Sequence, residues 1–442
     1  MIRSIMLASP SVYDSCARLF EQAPDSGVAG QAVEEARRLL AAFGLAPEGS
    51  DEDGRAARLF RLAATLEASF AVPAMDYPGL TVLGARLPRD RHGGAAIAVD
   101  GVIGCDHSPW RAFQKCIGEA AETLALAAPE IGEAAPDGPA EAIAARFTGQ
   151  VEARTGLASD AALAAAPAVA GVELATGRPV LVPRPLVFGW SGGLRAAVPV
   201  SEGCAAGPTP DDAARSALFE LIERHVVAHW WHGGRPARRL PPALMAAAIG
   251  RLRPGAGTPW PRQGFALELD ADGLPLAIVA AASVSPIHGL IALGFAARPG
   301  RAAALEAAVL EMIQSEIAND LLFLRLRRAG AAPDPVDQER LAAKQALRPE
   351  ALQATVDGDA TDDGAVGPDS LPDLLATLAR RNIAIFRVDL TGRAGIPVVK
   401  LLSPDLQSSS SAAVTKGLRQ TASQFGRPLK CLIDRPAIFN SL

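Results

Sequence analysis

Apolar residues recur every three to four positions over residues 13–21, 32–43 and 56–70, the spacing of amphipathic helices, with an acidic, glycine-containing break at 49–54. From Tyr77 the pattern changes. Short apolar runs at 80–84 and 95–99 read as strands, 101–108 as a turn and 110–126 as a helix. The succession returns twice. Runs at 180–182 and 186–188 and a stretch punctuated by Gly192, Gly193, Gly203 and Gly207 lead into a helix over 211–231. Runs at 265–267, 276–279 and 290–293 lead into a helix over 301–324. The helices recur at roughly 90 to 100 residues, too long a period for a solenoid. The expected fold class is α/β: one domain over residues 76–442, internally pseudo-repeated as strand–turn–helix units, behind a helical region over residues 1–75. That region reads as a cover over the sheet, a partner-docking element or a dimer face. Residues 127–168 read as mixed linker and helix, and 331–368, rich in Ala, Asp and Pro, as a variable surface insertion. Elements over 371–380, 383–390 and 397–402 complete the domain.

Each of the three long helices carries two oxygen-bearing side chains three residues apart: Glu119 and Glu122, Glu220 and Glu223, Glu311 and Gln314. Residues i and i+3 share a helix face. A single pair of this kind is most often solvated surface. Three on apolar helices, converging, would make a site for hard cations and phosphate, because Mg²⁺ takes carboxylate and phosphate oxygens. Arg224, next to Glu223, suits either a phosphate oxygen or a neighbouring carboxylate. No GxxxxGK[ST] loop and no kinase signature occurs.

Apolar residues make up 49% of the 442 and charged residues 21%, enough for a large core. The net charge of −5 argues against a general nucleic-acid binder. No stretch is long and apolar enough to span a bilayer, and no secretory signal pattern opens the sequence. The five cysteines are scattered, without a CxxC pair, which fits reduced thiols and a cytoplasmic location.

The surroundings of the acid pairs carry a resemblance. The run from Ser201 through Gly203, Gly207, Asp211 and Asp212 into Ala217-Leu218-Phe219-Glu220-Leu221-Ile222-Glu223-Arg224 and Trp230-Trp231 closely resembles the YcaO family. Gly118-Glu119-Ala120-Ala121-Glu122 is similar to that family's earlier GExxE segment. Glu311-Met312-Ile313-Gln314-Ser315 is similar to its ExxQS segment. Val388-Asp389-Leu390-Thr391 with Pro397-Val398-Val399-Lys400 and Pro404 resembles its late VDLT…PVVK…P stretch. The likeness covers roughly residues 77–410. It implies ATP and Mg²⁺ as cofactors and activation of a peptide backbone amide by phosphorylation of its oxygen. The product is an azoline when a Cys, Ser or Thr side chain adds, and a thioamide when sulfide does. The substrate would be a ribosomally made precursor peptide. It is brought by a ubiquitin-activating-like, leader-binding partner or by a TfuA-type protein. The resemblance makes Glu119, Glu122, Glu220, Glu223 and Glu311 the Mg²⁺ carboxylates, and Lys115, Asp212, Glu220, Arg224 and Gln314 the nucleotide contacts. Thr123, Lys115, Pro208, His225 and Ala307 stand where many members have Arg, Ser, Asn, Asp and Arg, which marks a divergent subgroup.

A non-catalytic scaffold that binds peptide or partner is the competing expectation. A second alternative is a zinc site, since His225, His229 and His232 lie at i, i+4 and i+7; packing is the plainer reading. Trp230 and Trp231 read as core or interface anchors, and Cys105, Cys116 and Cys204 as small buried thiols. Lys400 reads equally as a phosphate-neutralising or a strand-capping residue.

Overall fold

The computed structural model describes residues 5–6, 10–21, 41, 53–74, 76–88, 101–127, 141–148, 151–154, 160–188, 190–191, 194–195, 201–329, 333–348, 352, 367–392, 395–409 and 413–428. The strand expected at 95–99 and nearly all of the helix expected at 32–43 lie outside these residues.

Three sheets carry the fold. The first is antiparallel, in the order β1 (Ile5–Met6), β2 (Ala68–Ala71), β3 (Thr81–Arg86) and β4 (Gly101–Asp106). The second has six strands. Its order is β8 (Cys204–Ala206), β14 (Val398–Leu402), β13 (Phe386–Asp389), β6 (Ala168–Glu173), β7 (Pro179–Pro183) and β5 (Glu141–Ala142), and only the last pairing is parallel. The third is an antiparallel meander of β9 (Ala237–Arg239), β10 (Gln263–Leu269), β11 (Ala277–Val284) and β12 (Ile291–Arg298). The mixed α/β class expected from the repeated units is the observed one.

Each acid helix follows an edge strand of a different sheet: α3 (Pro109–Ala127) after β4, α4 (Pro210–Trp231) after β8, α6 (Arg301–Ala329) after β12. Each packs on its own strand and also reaches the edge strand of another sheet. Helix α3 touches β8, α4 touches β12 and α6 touches β4, so the three units close a ring. The seating is close because glycines face two of the helices. A Cβ on Gly104 of β4 would lie 2.2 Å from Ala112 O, and one on Gly294 of β12 would lie 2.1 Å from Ala308 O. No real side chain fits there.

Four differences from the sequence expectations have local causes. The helix expected over 56–70 is α2 (Asp53–Ala63), which stops short. Thr65 Oγ1 donates to Leu62 O at 2.7 Å and helps close the last turn. The chain then extends as β2, and the Phe70 ring lies over Gly84. Residues 101–106, expected within a turn, form β4 because Val102 and Gly104 sit on its inner face in register with β3. Residues 186–188 are helical (Arg184–Phe188), opened by Pro185 in the first turn. Inside the expected insertion at 331–368, Pro335–Ala346 is a helix capped by Asp334, whose side chain accepts from Val336 N–H.

The N-terminal elements share a core with the first acid helix. Helix α1 (Pro10–Glu21) and α2 bring Tyr13 and Phe60 against Trp110 and Phe113 of α3, with ring centroids 5.3–6.0 Å apart. Tyr13 also shares a 2.7 Å hydrogen bond with Ser69 of β2. A separate buried polar cluster lies on α6. Glu316 accepts from Tyr77 and from Ser283 and pairs with Arg262 at 3.1 Å. Among the described residues no helix is long and apolar enough to cross a membrane.

The close seating gives a contrast that denaturant unfolding will test. Gly294→Ala must push the α6 backbone off β12, and is expected to cost about 1–3 kcal/mol. Gly250→Ala, in a helix (Pro242–Leu252) with nothing within 4 Å of its new Cβ, is expected to stabilise by about 0.5–1 kcal/mol.

Candidate active site

The ring encloses a cavity of about 1190 Å³, and most of the sequence-predicted site residues line it: Lys115, Glu119, Glu122, Glu220, Glu223, Arg224, Glu311 and Gln314. Asp212 does not. It sits at the start of α4, where Thr209 Oγ1 donates to its carboxylate at 2.7 Å and accepts its N–H at 3.1 Å, a capping arrangement. It reaches the cavity only through Arg215, 3.6 Å away, which does line it.

Backbone amides hold four of the five glutamates. Glu119 accepts from Ile103 N–H of β4. Glu311 accepts from Phe295 N–H of β12 at 2.7 Å. Glu220 accepts from Gly203 N–H, in the turn before β8, at 3.2 Å. Glu122 reaches across to Ala206 N–H of β8 at 2.7 Å. Glu223 is held instead by Arg224, whose guanidinium lies 3.2 Å from it and 3.4 Å from Glu220. Of the two roles open to Arg224, the structure shows it bridging carboxylates.

Crowding these acids raises their proton affinity. Burial, then the Glu220 charge, pushes Glu119 up to about 7 although its side chain opens onto the cavity. Burial, then Glu119 and Glu220, holds Glu122 well above the usual range. Glu223 is pushed up to about 8 by burial, with Glu311 and Glu220 adding to it against the opposing pull of Arg224. Burial also raises Glu311. Burial works against the Arg224 charge, but Glu223, Glu220 and Glu311 around it hold it protonated above its ordinary value. The site is short of positive charge where the glutamates meet, and divalent cations relieve that deficit.

Among the described residues no three His, Cys, Asp or Glu side chains converge on one ion position. Mg²⁺ keeps waters and takes only one or two carboxylates beside phosphate oxygens. The donor set is all oxygen, the chemistry Mg²⁺ requires. Among the described residues the three histidines belong to no cluster that could hold an ion. His225 Nδ1 accepts from Gln407 N–H at 2.8 Å, His229 Nδ1 meets Thr421 Oγ1 at 2.9 Å, and burial lowers the proton affinity of both. Trp230 and Trp231 are buried in the core around α4. Cys105, Cys116 and Cys204 are buried thiols, and burial raises all three, Cys105 to about 12.

Among the described residues seven cationic side chains and seven carboxylates line the cavity. Lys115 pairs with Asp106 at 2.8 Å and Arg215 with Asp369 at 2.8 Å. Among the described residues Arg58, Arg111 and Arg298 have no carboxylate within ion-pair distance. Sequence reasoning did not select these arginines, nor Asp106, Asp369 or the buried Glu202. Arg55 and Arg58 come from α2, where nothing in their spacing announces a site. Arg298 ends β12 and lines the cavity, as Ala307 does. Thr123 Oγ1 donates to Glu119 O at 2.8 Å, and Pro208 forms part of the wall.

A strand-clamped ring of acids around an α/β cavity defines a nucleotide- and cation-handling class. The model of the YcaO cyclodehydratase family, described as ATP- and Mg²⁺-binding, matches residues 149–407, more than half of the chain. The chain belongs to the YcaO family. It is an enzyme of this cyclodehydratase type, with ATP and Mg²⁺ as cofactors. The matched span begins after α3, so Glu119 and Glu122 join the site through the fold. The structure of YcaO from Methanopyrus kandleri bound with AMPPCP and Mg²⁺ is similar at a TM-score of 0.52 and 20% identity, over 85% of this chain and 91% of that one. A heterocyclase in complex with substrate and cofactor gives 0.58 at 17%, over 84% of this chain and 52% of that one. The E. coli microcin synthetase McbBCD complex gives 0.56 at 14%, over 77% and 88%. At such identities the likeness is one of fold. No curated protein matches the chain.

The raised carboxyls link stability to pH. Glu119 and Glu223 keep their protons in the folded state up to about 7 and about 8, against an ordinary value of 4.5. The folded protein therefore binds more protons than the unfolded chain. The stability this contributes is complete below about pH 4.5 and is lost as pH rises through about 7 to 8. A cation replacing those protons removes the dependence. The melting temperature of the ligand-free protein is expected to fall between about pH 5 and pH 8.5, and Mg·AMPPCP is expected to flatten that fall. Calorimetry in buffers of different ionisation enthalpy should show proton release on binding. A flat ligand-free profile with no proton release would contradict the charge deficit.

Proposed function

We propose that this enzyme uses ATP and Mg²⁺ to activate a backbone amide of a ribosomally made precursor peptide and forms an azoline from a following Cys, Ser or Thr. The observation that carries the reading is the set of five glutamates lining one cavity, held by backbone amides and Arg224. Glu119, Glu122, Glu220, Glu223 and Glu311 would hold Mg²⁺. Lys115, Arg224 and Gln314 would meet the nucleotide with Glu220, and Asp212 would contribute by orienting Arg215. When bound, ATP supplies the phosphoryl group that turns the amide oxygen into a leaving group, and Mg²⁺ neutralises the phosphate charge.

The residues present account for positioning, not for a nucleophile. Among the described residues Cys105 is the thiol lining the cavity, and burial holds its proton up to about 12, so it is no thiolate near neutral pH. The adding group must come with the substrate. In the balanced step the amide oxygen takes the γ-phosphoryl group and ADP leaves. The peptide's side-chain sulfur or oxygen bonds to the amide carbon, and phosphate departs with the former amide oxygen. Loss of the nitrogen and nucleophile protons leaves a C=N bond in the ring. The chain's work is to bind, orient and neutralise charge. The cavity exceeds what a nucleotide fills and leaves room for a peptide segment beside it. A leader-binding partner would deliver the peptide, in the cytoplasm where ATP and reduced cysteine side chains are available. Thioamide formation with a TfuA-type partner uses the same activation with sulfide as the adding group.

Glu220→Ala with Glu223→Ala is expected to abolish Mg·ATP binding in calorimetry, lowering affinity by at least about 100-fold, while circular dichroism stays unchanged. Intact binding in that variant would refute the site assignment. Mass spectrometry of the co-expressed neighbouring precursor separates the products: loss of water marks an azoline, and exchange of oxygen for sulfur marks a thioamide. No change in the peptide, with ATP unbound, would instead support a scaffold.

A further inference from the structure

The peptide unit between Glu202 and Gly203 carries a charge-assisted hydrogen bond at each end. Its carbonyl accepts from Lys400 Nζ. Its N–H donates to Glu220 Oε2 at 3.2 Å. Lys400 lies on β14, in register with Cys204 of β8, and is 0% exposed. It does not line the cavity, whereas Glu220 does. The ammonium and the carboxylate thus face each other across one amide plane, from the core side and the cavity side.

The turn fixes that orientation. Cys204 N–H donates to Ser201 O at 2.9 Å, and Gly203 has φ +73°, the third position of a type II turn. A Cβ at 203 would lie 2.6 Å from Leu401 O. In a type I turn the central amide would be turned over, and its carbonyl would no longer face Lys400. The ends are pinned as well. Leu401 N–H donates to Gly203 O at 2.7 Å. The Glu202 carboxylate accepts from Ser409 N–H at 3.0 Å and Ser409 Oγ at 2.8 Å. A fully buried ammonium is costly, and an aliphatic side chain on β14 would pack at less expense. The Glu202 carbonyl it bonds and the Glu202 and Glu220 carboxylates near it offset that cost.

We propose that Lys400 is a positioning residue of the Mg·nucleotide site, holding the Glu220 carboxylate on the cavity wall through the Glu202–Gly203 peptide unit. The ammonium polarises the carbonyl, and the same amide becomes a stronger N–H donor to Glu220. With Oε2 fixed in this way, Oε1 is left to face Arg224. The inference rests on the reading of Glu220 as a carboxylate of the nucleotide site.

A double-mutant cycle on the full chain, read by calorimetric binding of Mg·AMPPCP, tests it. Lys400→Met is expected to weaken binding about tenfold when Glu220 is present and by less than about twofold in a Glu220→Gln background. Lys400→Arg, which keeps the charge, should stay within about threefold of wild type. The same factor in both backgrounds would mean that Lys400 only fills the core, and would overturn the proposal. So would unchanged affinity in a folded Lys400→Met protein. If Lys400→Met does not fold, Lys400→Gln takes its place in the cycle. A further measurement needs no Lys400 variant: the Gly203 amide proton in ¹⁵N-glycine-labelled protein should be shifted downfield and move upfield in Glu220→Gln. An unshifted Gly203 amide overturns the inference by itself. Wild-type protein that fails to bind Mg·AMPPCP overturns the site reading and this proposal together, whereas normal wild-type binding with an additive cycle removes only the Lys400 role.

Discussion

Five glutamates gathered around one cavity are the constraint on which this structure depends. Like charges at such range repel, and burial removes the water that would screen them. The fold answers with directed donors: amides of β4, β8, β12 and the turn before β8 each point at one carboxylate, and Arg224 spans two more contacts. These donors compensate only in part, since Glu119, Glu122, Glu223 and Glu311 all remain raised. In the proposed function, that shortfall is what Mg²⁺ would relieve.

The architecture reads as a means of bringing edge strands to that point. Each acid helix follows an edge strand, and the amides of an edge strand on its open side are free to bond a side chain instead of a neighbour. Glycines in β4 and β12 let α3 and α6 settle close to their strands, which puts Glu119 and Glu311 within reach of the amides beneath them. The ring closes because each helix also touches the edge strand of another sheet. The N-terminal helices take part by a different route. Their apolar faces pack on α3 through Tyr13 and Phe60, and their polar face brings Arg55 and Arg58 to the cavity.

Much of this was legible in advance for a definable reason. Helical period and the i,i+3 rule are local, so the extents of α3, α4 and α6 and the pairing of their acids follow from neighbours in the chain. The misread segments were those where period alone is ambiguous. Residues 56–70 keep a helical rhythm past the point where Thr65 and β-pairing end the helix, and residues 101–106 carry turn-like glycines that serve helix seating instead. Asp212 looked like a site carboxylate because of its place in the motif, yet its hydrogen bonds cap α4. Arg58 and Arg298 were invisible, since an arginine's partner is set by what lies across the cavity.

The amino-acid sequence by itself determined the kinds of chemistry present: oxygen donors in pairs, an adjacent guanidinium, and a motif order that points to one family. Helix periodicity placed each pair on one face. What only the tertiary structure decided is which faces meet, which strand amide holds each carboxylate, and that Lys400 lies behind the site instead of in it. Those outcomes depend on contacts between different elements, from Glu311 and Phe295, 16 residues apart, to Lys400 and Glu202, 198 apart. Their geometry is set by sheet edges and close glycine approaches, and local sequence rules carry no information about either.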